Sequence, residues 1–163
     1  MREELFIGVQ DLPVPRGEVF EFFSDPANLE ALTPPWLGFE VLTPLPLPRG
    51  EGAVFDYLIR VRGLPIRWRT LIESFVPGER FTDRQLAGPY ALWHHTHRFE
   101  DLPPSDAMPR GGTRMTDLVR YRLGWGILGR IVNALWVRRD IEGIFAYRRK
   151  TLEQRFGSPS AAQ

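Results

Sequence analysis

Cysteine is absent from this 163-residue chain, lysine occurs only as Lys150, and asparagine occurs twice. The missing cysteine excludes disulfides and thiolate metal sites, and it suits a reducing compartment, so a cytoplasmic location is expected. No apolar run reaches the length of about 18 residues that a membrane-spanning helix needs. The opening stretch MREELFIGVQ lacks the basic start and apolar segment of a signal peptide. No glycine-rich nucleotide loop is followed by an acidic residue at the right distance. Neither Ser24 nor Ser74 sits in a nucleophile elbow. Few Asn, no Cys and 15 prolines would suit a thermophile, and a GC-rich genome would give the same bias.

What is present is ordinary for a globular protein: 43% apolar and 25% charged residues. A chain of this size can bury one sizeable core. A single domain over residues 1–156 is expected, with GSPSAAQ (157–163) as a disordered tail. Charge is segregated although the net is only +1. Residues 1–51 carry three Arg against nine acidic residues, and residues 120–163 carry nine basic residues against three acidic. A basic C-terminal third fits either an anionic partner or a solvated helix face whose charges complement the helix dipole.

Between the termini the apolar pattern has period two. Phe55, Tyr57 and Ile59 alternate with Asp56, Leu58 and Arg60; Ile66, Trp68, Thr70 and Ile72 alternate with Arg67, Arg69 and Leu71. Phe81, Asp83 and Gln85, then Trp93, His95, His97 and Phe99, then Met115, Asp117, Val119 and Tyr121 continue the series. Residues i and i+2 of a strand share a face. One face is therefore aromatic and the other rich in Arg, as in an antiparallel sheet wet on one side and covered on the other. Leu5, Ile7 and Val9 alternate with Phe6, Gly8 and Gln10 in a first strand, Glu4–Leu12. VPRGEVFEFFSDP and PANLEALT predict two short helices after it.

No proline interrupts residues 126–156, enough for a helix of about 45 Å. Leu128, Ile131 and Leu135 form one stripe; Val137, Ile141, Ile144/Phe145, Arg148 and Leu152 continue it at spacings of three and four. The phase slips near Arg138-Arg139, and Gly143 inside the helix predicts a bend or close packing. The fold class is α+β: a curved antiparallel sheet of six to seven strands gripping a long C-terminal helix.

The strings RFTDRQLAGPYALWHHTHRF, GGTRMTDLVRYRL and GIFAYRRKTLEQRF, in this element order, resemble the START-like, or SRPBCC, superfamily of helix-grip proteins. The resemblance covers about residues 3–156. It is to the bacterial ligand-binding branch grouped with polyketide cyclase/dehydrase, lipid-transport and coenzyme-Q-binding-type domains. It implies a cavity between sheet and long helix that holds an apolar ligand. It transfers no catalytic signature to particular positions, because one scaffold serves carriers, cyclases and regulators.

On that reading the expected ligand-binding set is Phe55, Tyr57, Trp68, Phe81, Gln85, Trp93, His95, His97, Asp117, Val119, Tyr121 and Phe145. The same apolar side chains would equally fill a core. The inward polar residues are more informative. Aspartates such as Asp83 and Asp117 are almost never buried without partners, and Arg148, on the inward stripe, is a candidate counter-ion. They could form a closed internal network or receive a ligand's polar group. His94 falls on the outer face. His95 and His97 share the inner face, where they are read as hydrogen-bonding residues for carboxylates, Tyr121 or a ligand. A metal held by this pair with Asp83 or Asp117 lacks a sequence signature, so no metal and no cofactor are assigned.

The leading functional reading is a carrier or sensor of a hydrophobic small molecule: a lipid, a quinone or a polyketide-like ring. A second is a cyclase/dehydrase-type enzyme using a His/Asp pair for acid–base chemistry. A third is an interaction module using the basic C-terminal helix. No nucleic-acid partner is expected. Trp36 and Trp125, if exposed near a pocket mouth, would suit a lid or a transient membrane contact.

Overall fold

A computed structural model describes residues 3–124 and 136–159. Seven strands form one antiparallel sheet: β1 (Glu4–Leu12), β2 (Glu40–Val41), β3 (Val54–Val61), β4 (Leu64–Val76), β5 (Arg80–Ala87), β6 (Leu92–Leu102) and β7 (Gly112–Arg122). Their order is β1-β7-β6-β5-β4-β3-β2, so β2 to β7 run as a meander and β1 closes on β7. Among the described residues the α-helices are α1 (Arg16–Ser24) and α2 (Arg138–Phe156). Among the described residues no helix is long and apolar enough to cross a membrane.

The second expected short helix reduces to a 3-10 turn at Pro26–Asn28, followed by irregular turns. Asp25 caps it by accepting from the Ala27 N–H at 3.0 Å. Another 3-10 turn follows at Pro35–Leu37. Pro34-Pro35 keeps a helix from running past Thr33, since a residue before proline is pushed out of the helical region.

Period-two alternation places the strand faces as the sequence indicates. Phe55, Ile59, Trp68, Phe81, His95, His97, Phe99, Asp117, Val119 and Tyr121 are buried, whereas Arg60, Arg67, Arg69, Arg98 and Arg120 are exposed. In β1 the aliphatic Leu5, Ile7 and Val9 face outward, 57%, 54% and 43% exposed, whereas Phe6 and Leu12 face inward. The reason is register. β1 pairs with β7 so that Gly8 lies opposite Asp117 and Phe6 opposite Val119. Two register shifts in β4, between Arg69/Thr70 and Ile72/Ser74, interrupt its pairing with β5; such irregularities bend a strand and increase local twist.

Two apolar clusters lie on the covered face. At one end α1 sets Val19, Phe20, Phe22 and Phe23 against Phe81, Phe99, Met115 and Leu152. Phe20 meets Phe75 and Phe99 edge-on, each at 5.4 Å. Full burial of each such side chain stabilises the fold by about 1.5–3 kcal/mol. At the other end Val119, Tyr121 and Ile141 are buried, with Phe6, Tyr90, Trp93 and Phe145 packed on them. α2 touches both clusters, through Ile141 and then through Leu152.

The helix stops at Gly157, whose φ of +85° suits glycine and whose N–H reaches the Glu153 carbonyl at 2.9 Å. The expected tail starts there. Gly143 has no described atom within 4 Å of where a Cβ would stand, so the described residues do not pack closely on it. Leu128, Ile131, Leu135 and Trp125 lie outside the described residues.

Candidate functional site

Between the two apolar clusters runs a belt of polar groups, with His95, His97 and Asp117 buried and Asp83 and Arg148 partly buried. Each comes from the inward position next to an apolar one: Asp83 after Phe81, His95 and His97 between Trp93 and Phe99, Asp117 between Met115 and Val119, and Arg148 between Phe145 and Leu152. β5, β6 and β7 are adjacent, with Asp83 opposite His95 and His97 opposite Asp117. Antiparallel pairing of three neighbouring strands thus assembles the sheet's contribution, and α2 supplies the arginine.

The two imidazoles face each other with ring centroids 3.9 Å apart. Asp117 Oδ1 accepts from His95 Nε2 at 2.8 Å. His97 Nδ1 lies 2.8 Å from the same oxygen, but off the line of a hydrogen bond. Arg148 Nη1 approaches that oxygen at 3.4 Å. On the opposite side Asp83 Oδ2 stands 3.4 Å from His95 Nδ1 and 3.5 Å from His97 Nε2. Phe81 stacks on His97 at 4.3 Å, Phe23 lies against it at 5.8 Å, and Phe145 meets His95 at 5.6 Å. The belt is therefore walled by rings.

These surroundings set the charges. Burial would raise the Asp117 pKa, but Arg148 and the two histidines outweigh it and hold the carboxyl far below the usual range. Asp83 is also held low, with His97, His95 and Arg148 overcoming burial. Burial pulls His97 down, yet Asp117 and Asp83 raise it above its ordinary value. Burial and the neighbouring His97 charge keep His95 below its ordinary value. The two rings are thus pushed in opposite directions, His97 toward the protonated form and His95 toward the neutral one.

A cavity of about 310 Å3 opens between β1 and α2. Phe6, Gly8, Met115 and Phe145 supply its apolar wall, with Asp117 and Arg148 among its polar lining. Gln10 also lines it and donates to the Arg149 carbonyl at 3.0 Å, tying β1 to α2. Of the ligand-binding residues expected from sequence, Asp117 and Phe145 line this cavity. His95 and His97 stand behind Asp117. Phe81 packs in the α1 cluster. Phe55 is buried, and Tyr57 stacks on Trp68 at 5.9 Å. Trp68 in turn meets Trp93 at 5.2 Å. Val119 and Tyr121 sit in the second cluster. Gln85 donates to the Tyr90 carbonyl at 2.7 Å and fixes the turn before β6.

Sequence reasoning did not single out Phe6, Gly8 and Gln10. Their face of β1 carries the smaller share of aliphatic residues, and only the register with β7 turns it inward. The signal available was Gly8 itself, since a glycine within a strand often marks a close approach or needed space.

His94, on the outer face, pairs with Glu73 at 2.8 Å. Trp36 is 61% exposed, with its ring edge on Tyr147 at 5.7 Å. Among the described residues, Asp83, His95 and His97 offer one ligand atom each within 4.8 Å of one another, a spacing able to hold a metal ion.

No protein-family model matches the chain, and no curated protein matches its sequence. Solved structures do match. TTHA0849 from Thermus thermophilus is 21% identical with a TM-score of 0.64, covering 94% of this chain and 97% of that one. The Zhui aromatase/cyclase from Streptomyces sp. R1128 is 15% identical with a TM-score of 0.66, covering 94% and 96%. A nucleoside-diphosphate sugar epimerase from Corynebacterium glutamicum is 27% identical with a TM-score of 0.62; the match spans 91% of this chain but 28% of that one. Agreement over nearly the whole chain, with the sheet order and helix placement above, establishes the architecture: this chain has the helix-grip fold of START-like, or SRPBCC, proteins.

Proposed function

We propose that the chain binds a small amphiphilic molecule between β1 and α2, with its apolar body against Phe6, Met115 and Phe145 and its polar end at Asp117 and Arg148. The cavity carries this reading: it joins an apolar wall to a buried, charge-balanced polar group. Its volume of about 310 Å3 lies at the small end of ligand pockets. That size favours a single ring system or a short acyl chain over a full lipid. Apolar burial supplies the affinity at about 25 cal/mol per Å2, and the polar belt supplies orientation.

A second reading is supported by the His95–Asp117 hydrogen bond and by a helix-grip neighbour described as an aromatase/cyclase. The His95 and His97 rings, 3.9 Å apart, could relay a proton to a ligand held at Asp117. The interaction-module reading is less well supported. Four of the six basic residues of α2 are engaged within the chain: Arg138 with Glu142, Arg148 with Asp117, Arg149 with the Val9 carbonyl, and Arg155 over the Phe22 ring.

Native mass spectrometry after incubation with an organic-soluble cell extract tests the proposal. The expected result is one organic adduct per chain, released on denaturation and absent from Gly8→Val. Adducts of scattered stoichiometry, or equal uptake by Gly8→Val, would refute it.

A further inference from the structure

We propose that Asp83, His95 and His97 form a binding site for a divalent first-row transition-metal ion, oriented by Asp117 from behind. The geometry differs on the two sides of the imidazole pair. Toward Asp117 both distances are 2.8 Å, with His95 Nε2 hydrogen-bonded and His97 Nδ1 off the line of a hydrogen bond. Toward Asp83 they are 3.4 and 3.5 Å, too long for a charge-assisted hydrogen bond. A tetrahedral ion with bonds of about 2.0–2.1 Å holds its ligand atoms about 3.3–3.4 Å apart. Asp83 Oδ2 stands at that separation from both His95 Nδ1 and His97 Nε2.

The contacts leave one nitrogen of each ring facing Asp83. His95 Nε2 is engaged with Asp117, and Nδ1 of the same ring faces the Asp83 carboxylate at 3.4 Å. His97 Nε2 faces it at 3.5 Å. A cation between them would take one nitrogen from each ring and one oxygen from Asp83, each nitrogen being unprotonated when it ligates.

The arrangement behind the donors is also what a metal site uses. Histidine ligands normally donate their other ring nitrogen to a carboxylate, which fixes tautomer and ring direction. Asp117 Oδ1 lies 2.8 Å from the far nitrogen of both rings, and Arg148 anchors Asp117. Two imidazoles and one carboxylate, without thiolate, suit Zn2+, Co2+ or Fe2+ better than Ca2+ or Mg2+. The Asp83 side chain is 16% exposed, more than those of either histidine or Asp117. Ion entry and an open coordination position belong on that side. This inference does not depend on the small-molecule reading.

The test is titration of the whole, chelator-treated chain with Co2+, read by visible absorption, and with Zn2+, read by calorimetry. The expected result is one ion per chain with the absorption of a low-symmetry Co2+ site. Asp83→Asn should abolish it, Asp117→Asn should weaken it by about 10–100-fold, and His94→Gln should leave it unchanged. In the wild-type chain, which needs no variant to fold, Co2+ should shift the ring protons of His95 and His97. Failure of the wild type to take up either ion would overturn the proposal. So would uptake that survives Asp83→Asn, disappears with His94→Gln, or leaves those ring protons unshifted. Apolar-probe binding measured in chelator reads the small-molecule site separately.

Discussion

Arg148 on α2 reaches across the interior to within 3.4 Å of Asp117 on β7. It joins helix to sheet beside the Gln10–Arg149 and Arg149–Val9 hydrogen bonds, which tie α2 to β1. Its guanidinium lies over the Phe145 ring at 4.8 Å, which holds it along the cavity wall. The side chains of Arg148 and Asp117 are 13% and 9% exposed, so solvent screens their interaction little.

Removing the arginine should therefore be costly. Arg148→Met keeps much of the volume but leaves Asp117 without its guanidinium. Breaking a buried pair from one side costs about 3 kcal/mol. Urea unfolding of Arg148→Met should show that loss with an unchanged m-value. A change below about 0.5 kcal/mol, typical of surface substitutions, would mean that Asp117 is satisfied by the histidines alone.

The two histidines should titrate apart. His97 is held above its ordinary 6.5 by Asp117 and Asp83 against the pull of burial. Its contribution to stability is complete below pH 6.5 and is lost as pH rises through the raised folded value. His95 is held below 6.5 by burial and by His97, so its contribution is present above pH 6.5 and lost as pH falls through the lowered value. Asp83 and Asp117, lowered from 3.8, contribute above pH 3.8 and lose that contribution in acid. Imidazole NMR in a His94→Gln background, which leaves two rings, should resolve one titrating above 6.5 and one below, with His97→Gln removing the upper. Two rings titrating together near 6.5 would contradict the assignment.

Trp68 should behave as a packing residue. It is 6% exposed, and its indole N–H donates to Thr70 Oγ1 at 3.1 Å. Its ring meets Tyr57, Tyr90 and Trp93. Trp68→Ala should lower stability by about 3–5 kcal/mol, a drop of about 10 °C in melting temperature. Probe binding between β1 and α2 should be retained. Lost binding with unchanged melting would place the ligand against this wall instead.

How much of this was legible beforehand follows from the range of the signals. Strand faces have period two, so Asp83, His95, His97 and Asp117 could be put on one inward face from local sequence. Helical spacing added Arg148. Which atoms would meet depends on the pairing of three strands and was not readable. The facing of β1 was hidden for the same reason: Leu5, Ile7 and Val9 look like core residues, yet register with β7 turns Gly8 toward Asp117. The second short helix is present only as a 3-10 turn at Pro26–Asn28, a shortening that its local sequence did not indicate. Whether the aromatic face lines a pocket or fills a core was open from sequence, because side-chain packing is not encoded in alternation; Tyr57, Trp68, Tyr90 and Trp93 pack on one another.

Gly8 lines the cavity beside Asp117. A Cβ at Gly8 would stand 3.2 Å from the Phe6 ring and 3.8 Å from Asp117 Cβ. Gly8→Val places bulk at this wall and needs the Phe6 ring to give by a few tenths of an ångström, so its melting temperature is measured beside its binding. The decisive experiment is fluorescence titration of both proteins with 1-anilinonaphthalene-8-sulfonate, an apolar ring compound with an anionic group suited to Arg148. Saturable one-to-one binding by the wild type is expected, weakened about 10-fold or more, at least about 1.4 kcal/mol, in a Gly8→Val protein that melts normally. Equal binding by the two folded proteins, or no saturable binding by the wild type, would show that the ligand site does not lie between β1 and α2.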